Sequence, residues 1–113
     1  MSQTAKDVLI NKAITLFNEG KIKQCLKELL GAKKKYPDEP FIYNFLGVLY
    51  AHIESYEDSI KNYSKAIKLN PNYFEAYNNI GVAYTSLKKT NKAIECFDKA
   101  IQINSSYAEA YNN

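Results

Sequence analysis

Arginine is absent from this chain: all 15 basic residues are lysine, set against 12 acidic ones for a net charge of +3 in 113 residues. The planar arginine fork is the usual bidentate reader of phosphates and guanine edges, so its absence argues against specific nucleic-acid recognition. The lysines read as solubility. Histidine is nearly missing too, with His52 alone, and the two cysteines, Cys25 and Cys96, show no Cys-x-x-Cys spacing. A metal or redox site is therefore not expected, and free cysteine is read as a small buried hydrophobe. Long apolar runs are lacking, so nothing approaches the roughly 20 residues that cross a bilayer. Met1-Ser-Gln-Thr leads straight into Ala5-Lys-Asp-Val, without the basic start and apolar core of a secretory leader. What remains is a soluble globular composition, 46% hydrophobic and 24% charged, with a cytoplasmic location as the default.

Catalytic constellations are lacking as well. There is no Gly-rich phosphate loop, no serine in a nucleophile-elbow setting, and no pair of groups with matched acid and base roles. Glu75 and Glu109 could be paired acids, but a helix-capping role is the better reading. The chain is expected not to be an enzyme and to carry no cofactor and no metal.

What is present is a repeat. A shift of 34 residues aligns Ala13 with Gly47 and Gly81, Leu16 with Tyr50 and Tyr84, and Cys25 with Ser59 and Ala93. The same shift aligns Leu29 with Tyr63 and Phe97, Ala32 with Ala66 and Ala100, and Pro37 with Pro71 and Ser105. Within a unit the apolar residues recur at helical spacing, as Ile42, Phe45, Leu46 and Leu49, then Ile60, Tyr63 and Ile67. Each unit is thus two helices, and short connectors near Gly20, Ile53 to Ser55 and Leu87 to Lys89 fold them into antiparallel hairpins. Thr4, Asp38, Asn72 and Ser106 share one column as expected N-caps. Asp7, Glu75 and Glu109, three residues on, would complete capping boxes. The small column of Gly47 and Gly81 is expected to face that of Ala66 and Ala100, letting the helices of a hairpin approach closely.

These residues resemble the tetratricopeptide (TPR) repeat family, whose 34-residue helix-turn-helix pattern runs through a bulky residue, Leu-Gly, Tyr, Ala, an aromatic, Ala and Pro. The second unit reads Tyr43, Leu46-Gly47, Tyr50, Ser59, Tyr63, Ala66 and Pro71; the third reads Tyr77, Ile80-Gly81, Tyr84, Ala93, Phe97 and Ala100. The resemblance implies an all-α solenoid of antiparallel helix hairpins wound as a right-handed superhelix. Its repeats are expected at about 6–39, 40–73 and 74–107, with the start of a fourth at 108–113, all in one domain covering 1–113. Lys12 departs from the pattern where Leu or Ile is wanted, and Ser105 replaces the closing Pro; a polar terminal unit suits an end where stacking stops. The closing YAEAYNN repeats the YFEAYNN of Tyr73 to Asn79. A half helix with Ala110 and Tyr111 still patterned for burial suggests a longer array, with a lid on the third hairpin or head-to-tail docking as the alternatives.

The family resemblance implies a concave binding groove lined by the first helix of each unit. It places Ile10, Ile14 and Phe17 of the first unit there, Phe41, Asn44, Val48 and His52 of the second, Asn78, Val82 and Thr85 of the third, and Asn112 of the fourth. Asn44, Asn78 and Asn112 form one column, and Asn11, Asn79 and Asn113 the next, where Phe45 breaks the series. A carboxamide donates and accepts, so such a column resembles the asparagine ladder of O-linked N-acetylglucosamine transferase superhelices; the alternative is plain surface filling in an Asn-rich chain. The Lys, Asn and Arg clamp of chaperone-tail receptors has no counterpart, since Ile10, Ile14 and Glu75 stand in its places. His52 is either a pH-sensitive contact or incidental. Lys61, Lys65 and Lys68 form a stripe echoed by Lys27, Lys34 and Lys99, but with Glu28, Asp58, Glu95 and Asp98 interspersed it reads as a solvated outer face.

The expected function is a protein-interaction scaffold that binds a peptide segment of a partner protein in the groove. One alternative is the N-terminal recognition arm of a larger enzyme such as a glycosyl- or sulfo-transferase; another is homotypic assembly through the open C-terminal edge. Neither a membrane span nor specific nucleic-acid binding is expected.

Overall fold

The computed structural model describes residues 3–104. Six helices occupy them: α1 (Ala5–Asn18), α2 (Ile22–Lys35), α3 (Pro40–His52), α4 (Tyr56–Leu69), α5 (Phe74–Ser86) and α6 (Thr90–Ile103). No strand occurs among the described residues. The helices pack most closely in sequential pairs, α1 with α2, α3 with α4 and α5 with α6, while α2 on α3 and α4 on α5 join one pair to the next. This is the all-α helical repeat that the periodicity predicts. The expected fourth unit, with Ser106, Glu109 and Asn112, lies outside the described residues.

The turn within each hairpin is the same device used three times. Gly20, Glu54 and Lys88 hold left-handed backbone, with φ of 77°, 63° and 62°. Their amides donate to the carbonyls of Phe17, Ala51 and Thr85, and the amides of Lys21, Ser55 and Lys89 reach back to Leu16, Tyr50 and Tyr84 at 2.8–2.9 Å. That pairing is the Schellman closure of a helix C-terminus, which satisfies carbonyls the helix itself leaves free. Only the first turn spends a glycine on the left-handed position.

Helix starts follow the sequence reading in one case and correct it in two. Thr4 caps α1, accepting from the Asp7 amide at 3.0 Å while the Asp7 carboxylate accepts from the Thr4 amide at 3.4 Å. Asp38 is not the cap of α3. Pro40, whose fixed φ suits the first helical position, puts the cap at Glu39, and the Glu39 carboxylate accepts from the Phe41 amide. Asn72 does not cap α5 either: its amide is turned to the Asn70 side chain at 3.2 Å, and Tyr73 takes the cap position without a side-chain bond. Glu75 therefore closes no capping box.

Packing depends on which faces the repeat buries. The main core joins α1, α2 and α3 through Ala13, Cys25, Leu29, Ala32, Ile42, Phe45, Leu46 and Leu49, all buried. A second, smaller cluster of Tyr43, Ala66 and Ala76 joins α3, α4 and α5. That cluster corrects the expected contact between the small columns. Ala66 lies with Ala76 of the following hairpin, and what Gly47 and Gly81 face is an aromatic ring. A Cβ at Gly81 would meet Phe97 Cε1 at 2.6 Å, and one at Gly47 would run into the ring of Tyr63. The glycines leave room for a ring to lie flat on the helix backbone, which explains why the aromatic and the glycine repeat together. At the other end of the pattern, Lys12 is exposed and pairs with Glu28 at 2.9 Å, in keeping with a polar first unit. Cys25 is sealed in the core, its thiol donating to the Ala13 carbonyl at 3.2 Å, as a small buried hydrophobe should be.

Candidate functional site

The first helices of the three hairpins lie side by side. Lys6 of α1 pairs with Glu39 at the start of α3 at 2.8 Å, Phe17 of α1 meets Phe45 of α3, and α3 touches α5 directly. Lys6 has its ammonium pKa raised, first by its hydrogen bond to Glu39 and then by the charge of that carboxylate. The pair links the first hairpin to the second at the edge of the shared face.

On that face a hollow of about 230 Å³ opens between α1 and α3, lined by Ile14, Phe17, Phe41, Asn44, Phe45 and Val48. Its apolar character comes from three rings set edge to face: Phe17 on Phe45 at 5.7 Å and 83°, and Phe41 on Phe45 at 6.0 Å and 79°. This arrangement suits the ring quadrupoles and holds the hollow open. Phe41 is 38% exposed while Phe45 is 8% exposed, so one ring forms the rim and the other the floor. His52 extends the wall, its ring 5.9 Å from that of Phe17. Ile10 packs below, partly buried against the main core.

Five of the six lining residues are ones the family resemblance selects. Phe45 is the addition. It sits in the column where Asn11 and Asn79 also fall, and the substitution of a ring for an amide there is the sequence sign of the hollow. On the third hairpin the selected residues do not gather into the hollow. Val82 is 52% exposed, Asn78 is half-buried, and the Thr85 hydroxyl is turned back to the Gly81 carbonyl at 2.9 Å. Asn112 lies outside the described residues.

The Asn44 side chain is tied to the next hairpin. Its Oδ1 accepts from Asn79 Nδ2 at 3.1 Å, which joins α3 to α5 at the hollow's edge. Beside this pair Tyr73 has its pKa raised, first by burial and then by the charge of Glu75.

Chemically the face offers apolar contact and amide hydrogen bonds. Among the described residues no group of three or more His, Cys, Asp or Glu could hold a metal ion, and no helix is long and apolar enough to cross a membrane.

A stack of helix hairpins with an apolar, ring-lined hollow on the shared face of its first helices defines a helical-repeat protein. The sequence specifies which one. The tetratricopeptide repeat model matches residues 74–107 and a second TPR repeat model matches residues 50–87. Together they run from 50 to 107, and the chain belongs to the tetratricopeptide repeat family. Solved structures agree in fold. The first TPR of Spaghetti (RPAP3), bound to the HSP90 peptide SRMEEVD, superposes with a TM-score of 0.88 at 21% identity, over 95% of this chain and 85% of that one. The second TPR of the same protein, bound to the same peptide, gives 0.83 at 22% identity, over 88% and 92%. MamA from Desulfovibrio magneticus RS-1, residues 41 to the end, gives 0.81 at 23% identity, over 87% of this chain and 55% of that one. This chain therefore spans a little over half of that MamA chain. A comparison with the curated proteins finds no match.

Proposed function

We propose that this chain is a protein-interaction scaffold, acting by binding and not by catalysis, and that the hollow between α1 and α3 receives a bulky apolar side chain from a partner peptide. The observation that carries this reading is the hollow itself: a pre-formed apolar cavity with an exposed ring, Phe41, at its rim. Exposed aromatic surface next to a fixed polar group is the usual make-up of a binding anchor. Asn44, held by Asn79, presents its remaining hydrogen-bonding capacity at the edge, and Asn78 lies one unit further along. These amides would set the register of a peptide backbone. The HSP90 peptide bound in the Spaghetti TPR structures supports the general mode, a TPR unit taking a short peptide, and supplies no residue for this chain.

The test is selection of peptides from a random phage-displayed library against the whole chain, followed by Phe41→Glu. Phe41 is partly exposed, so its loss should leave the fold intact. Selected peptides should share one large apolar residue, and Phe41→Glu should weaken them about tenfold or more, the size of a lost anchor contact. Peptides without a shared apolar residue, or binding unchanged in the variant, would remove the hollow from the proposal.

A further inference from the structure

The sequence presents Lys61, Lys65 and Lys68 as part of a mixed-charge outer surface, with acids nearby in the chain. In space only Asp58 of these acids lines the same valley as the lysines. Glu28 is paired with Lys12, Glu95 and Asp98 belong to α6, and the described ion pairs involve none of the three lysines. The lysines instead meet Lys33 of α2 across a valley of about 510 Å³ between α2 and α4, which Tyr43 and Tyr50 of α3 help to line. Asp58 is the one carboxylate in this lining, and its Oδ2 accepts the Ser55 hydroxyl at 2.7 Å.

Tyr43 organises the valley. Its hydroxyl donates to the Pro37 carbonyl at 2.7 Å, which fixes the ring, and the ring is 5% exposed. Lys33 Nζ lies 6.0 Å and Lys65 Nζ 5.9 Å from the centre of that one ring. Each ammonium is attracted to the ring, and neither is in a described ion pair with a carboxylate. An anion placed in the valley would be attracted by both.

We propose that this valley is a second docking surface, separate from the hollow between α1 and α3, and that it takes an extended acidic segment of a partner protein whose carboxylates fall on alternate residues. Charge complementarity and spacing together select this occupant. Along α4, Lys61 to Lys65 is a rise of about 6 Å and Lys65 to Lys68 about 4.5 Å at 1.5 Å per residue. Alternate side chains of an extended chain lie about 6.6 Å apart. Carboxylates at that interval match the Lys61–Lys65 step and overshoot the Lys65–Lys68 step by about 2 Å, which the flexible four-carbon lysine stem takes up, with Lys33 on the opposite wall. A single phosphate would engage one or two of these point charges, and the arginine forks that favour phosphate are absent. Asn62 and Ser64, also in the lining, offer side-chain donors to the backbone of such a segment.

The experiment uses the whole chain and a fluorescein-labelled peptide of alternating glutamate and serine, with the glutamine-serine peptide as its uncharged counterpart. Fluorescence anisotropy should show binding of the glutamate peptide alone, weakened about tenfold or more between roughly 50 and 300 mM salt as screening shortens the reach of each charge. Lys61→Glu with Lys65→Glu should abolish it, whereas Lys88→Glu with Lys89→Glu, an equal charge change in the α5–α6 turn, should cost less than about twofold, because neither residue lines the valley. Lys68→Glu, which touches no ring, repeats the test without disturbing Tyr43. Equal losses in the two double variants would reduce the effect to net charge and overturn the proposal. So would loss of the peptide in Phe41→Glu, or valley-dependent binding of oligothymidylate, tripolyphosphate or anionic vesicles with the glutamate peptide inert.

Discussion

Two glycines in similar helical settings should respond to alanine with opposite sign. Gly31 lies inside α2 with nothing within 4 Å of where a Cβ would stand, and Gly81 lies inside α5 beneath the ring of Phe97. In a helix interior alanine is favoured over glycine by about 1 kcal/mol, so Gly31→Ala should be stabilising by about that amount. At Gly81 the same gain is opposed by overlap with three ring atoms at 2.6, 2.8 and 2.8 Å. The ring must retreat about 0.9 Å to reach a normal separation near 3.5 Å. Overpacking of this kind costs about 1–3 kcal/mol, and since the body of the ring and not a flexible tip is met, the upper half of that range applies. The net for Gly81→Ala is then a loss of about 1–2 kcal/mol, leaving the two variants at least about 2 kcal/mol apart. For a domain of this size each kcal/mol moves Tm by about 4–8 °C. Thermal melting followed by far-ultraviolet circular dichroism reads both directly. Phe97→Leu placed on Gly81→Ala should recover part of the loss relative to Phe97→Leu alone, because the clash is with the ring. If Gly81→Ala melts above the parent chain as Gly31→Ala does, the account of the repeated glycine as a seat for the aromatic is wrong.

Glycine should help where the left-handed turns lack it: Glu54→Gly and Lys88→Gly each remove a strained conformation worth about 1 kcal/mol, and melting at or below the parent temperature would refute this. Stability should fall above pH 10. Tyr63 is 3% exposed and burial raises its pKa, so the unfolded tyrosine ionises first and the folded chain retains the extra proton. Full stability holds below about pH 10 and declines in the window above it, with a slope of at most about 1.4 kcal/mol per pH unit for a single group. Tyr73 and Lys6, whose pKa values are also raised, act in the same direction, and urea midpoints that stay flat from pH 9 to 11 would contradict all three. Cys96 is half-buried and Cys25 fully buried, so a thiol reagent should modify Cys96 in the native chain and Cys25 only on unfolding; a single rate for both would refute the placement. Asn44→Ala and Asn79→Ala should be coupled by about 0.5–1.5 kcal/mol in a double-mutant cycle, as befits a hydrogen bond between hairpins, and additivity would show that the bond is not made in solution.

The repeat made the helices and their pairing legible because period and burial are one fact: a residue that is buried in each unit must recur at the unit length. Boundaries were less legible for the same reason. Thr4, Asp38 and Asn72 are equivalent by position, yet Pro40 moves one cap to Glu39 and Asn70 draws the Asn72 amide away from another. Local chemistry differs between units even where the backbone path does not. The turns show the converse. Gly20, Glu54 and Lys88 adopt one conformation with three different residues, so composition points to the first turn and only the period extends it to the others.

A column of equivalent residues also says less about contact than about position, and this limits how far a site can be read from alignment. Asn44 and Asn78 share a column, but the side chain that reaches Asn44 is Asn79, from the neighbouring column, because adjacent hairpins are offset as they stack. The hollow depends on the single break in that neighbouring column, where Phe45 gives Phe17 and Phe41 a ring to pack against. The lysine valley follows the same logic. Counted along the chain, Glu28 and Asp58 both stand among the lysines; in space Glu28 is paired with Lys12, and Asp58, which accepts the Ser55 hydroxyl, is the one carboxylate facing four lysines across the valley. In a solenoid the period specifies the scaffold, and recognition is carried by the departures from it: the residues that differ between units, and the neighbours that stacking brings together from different columns.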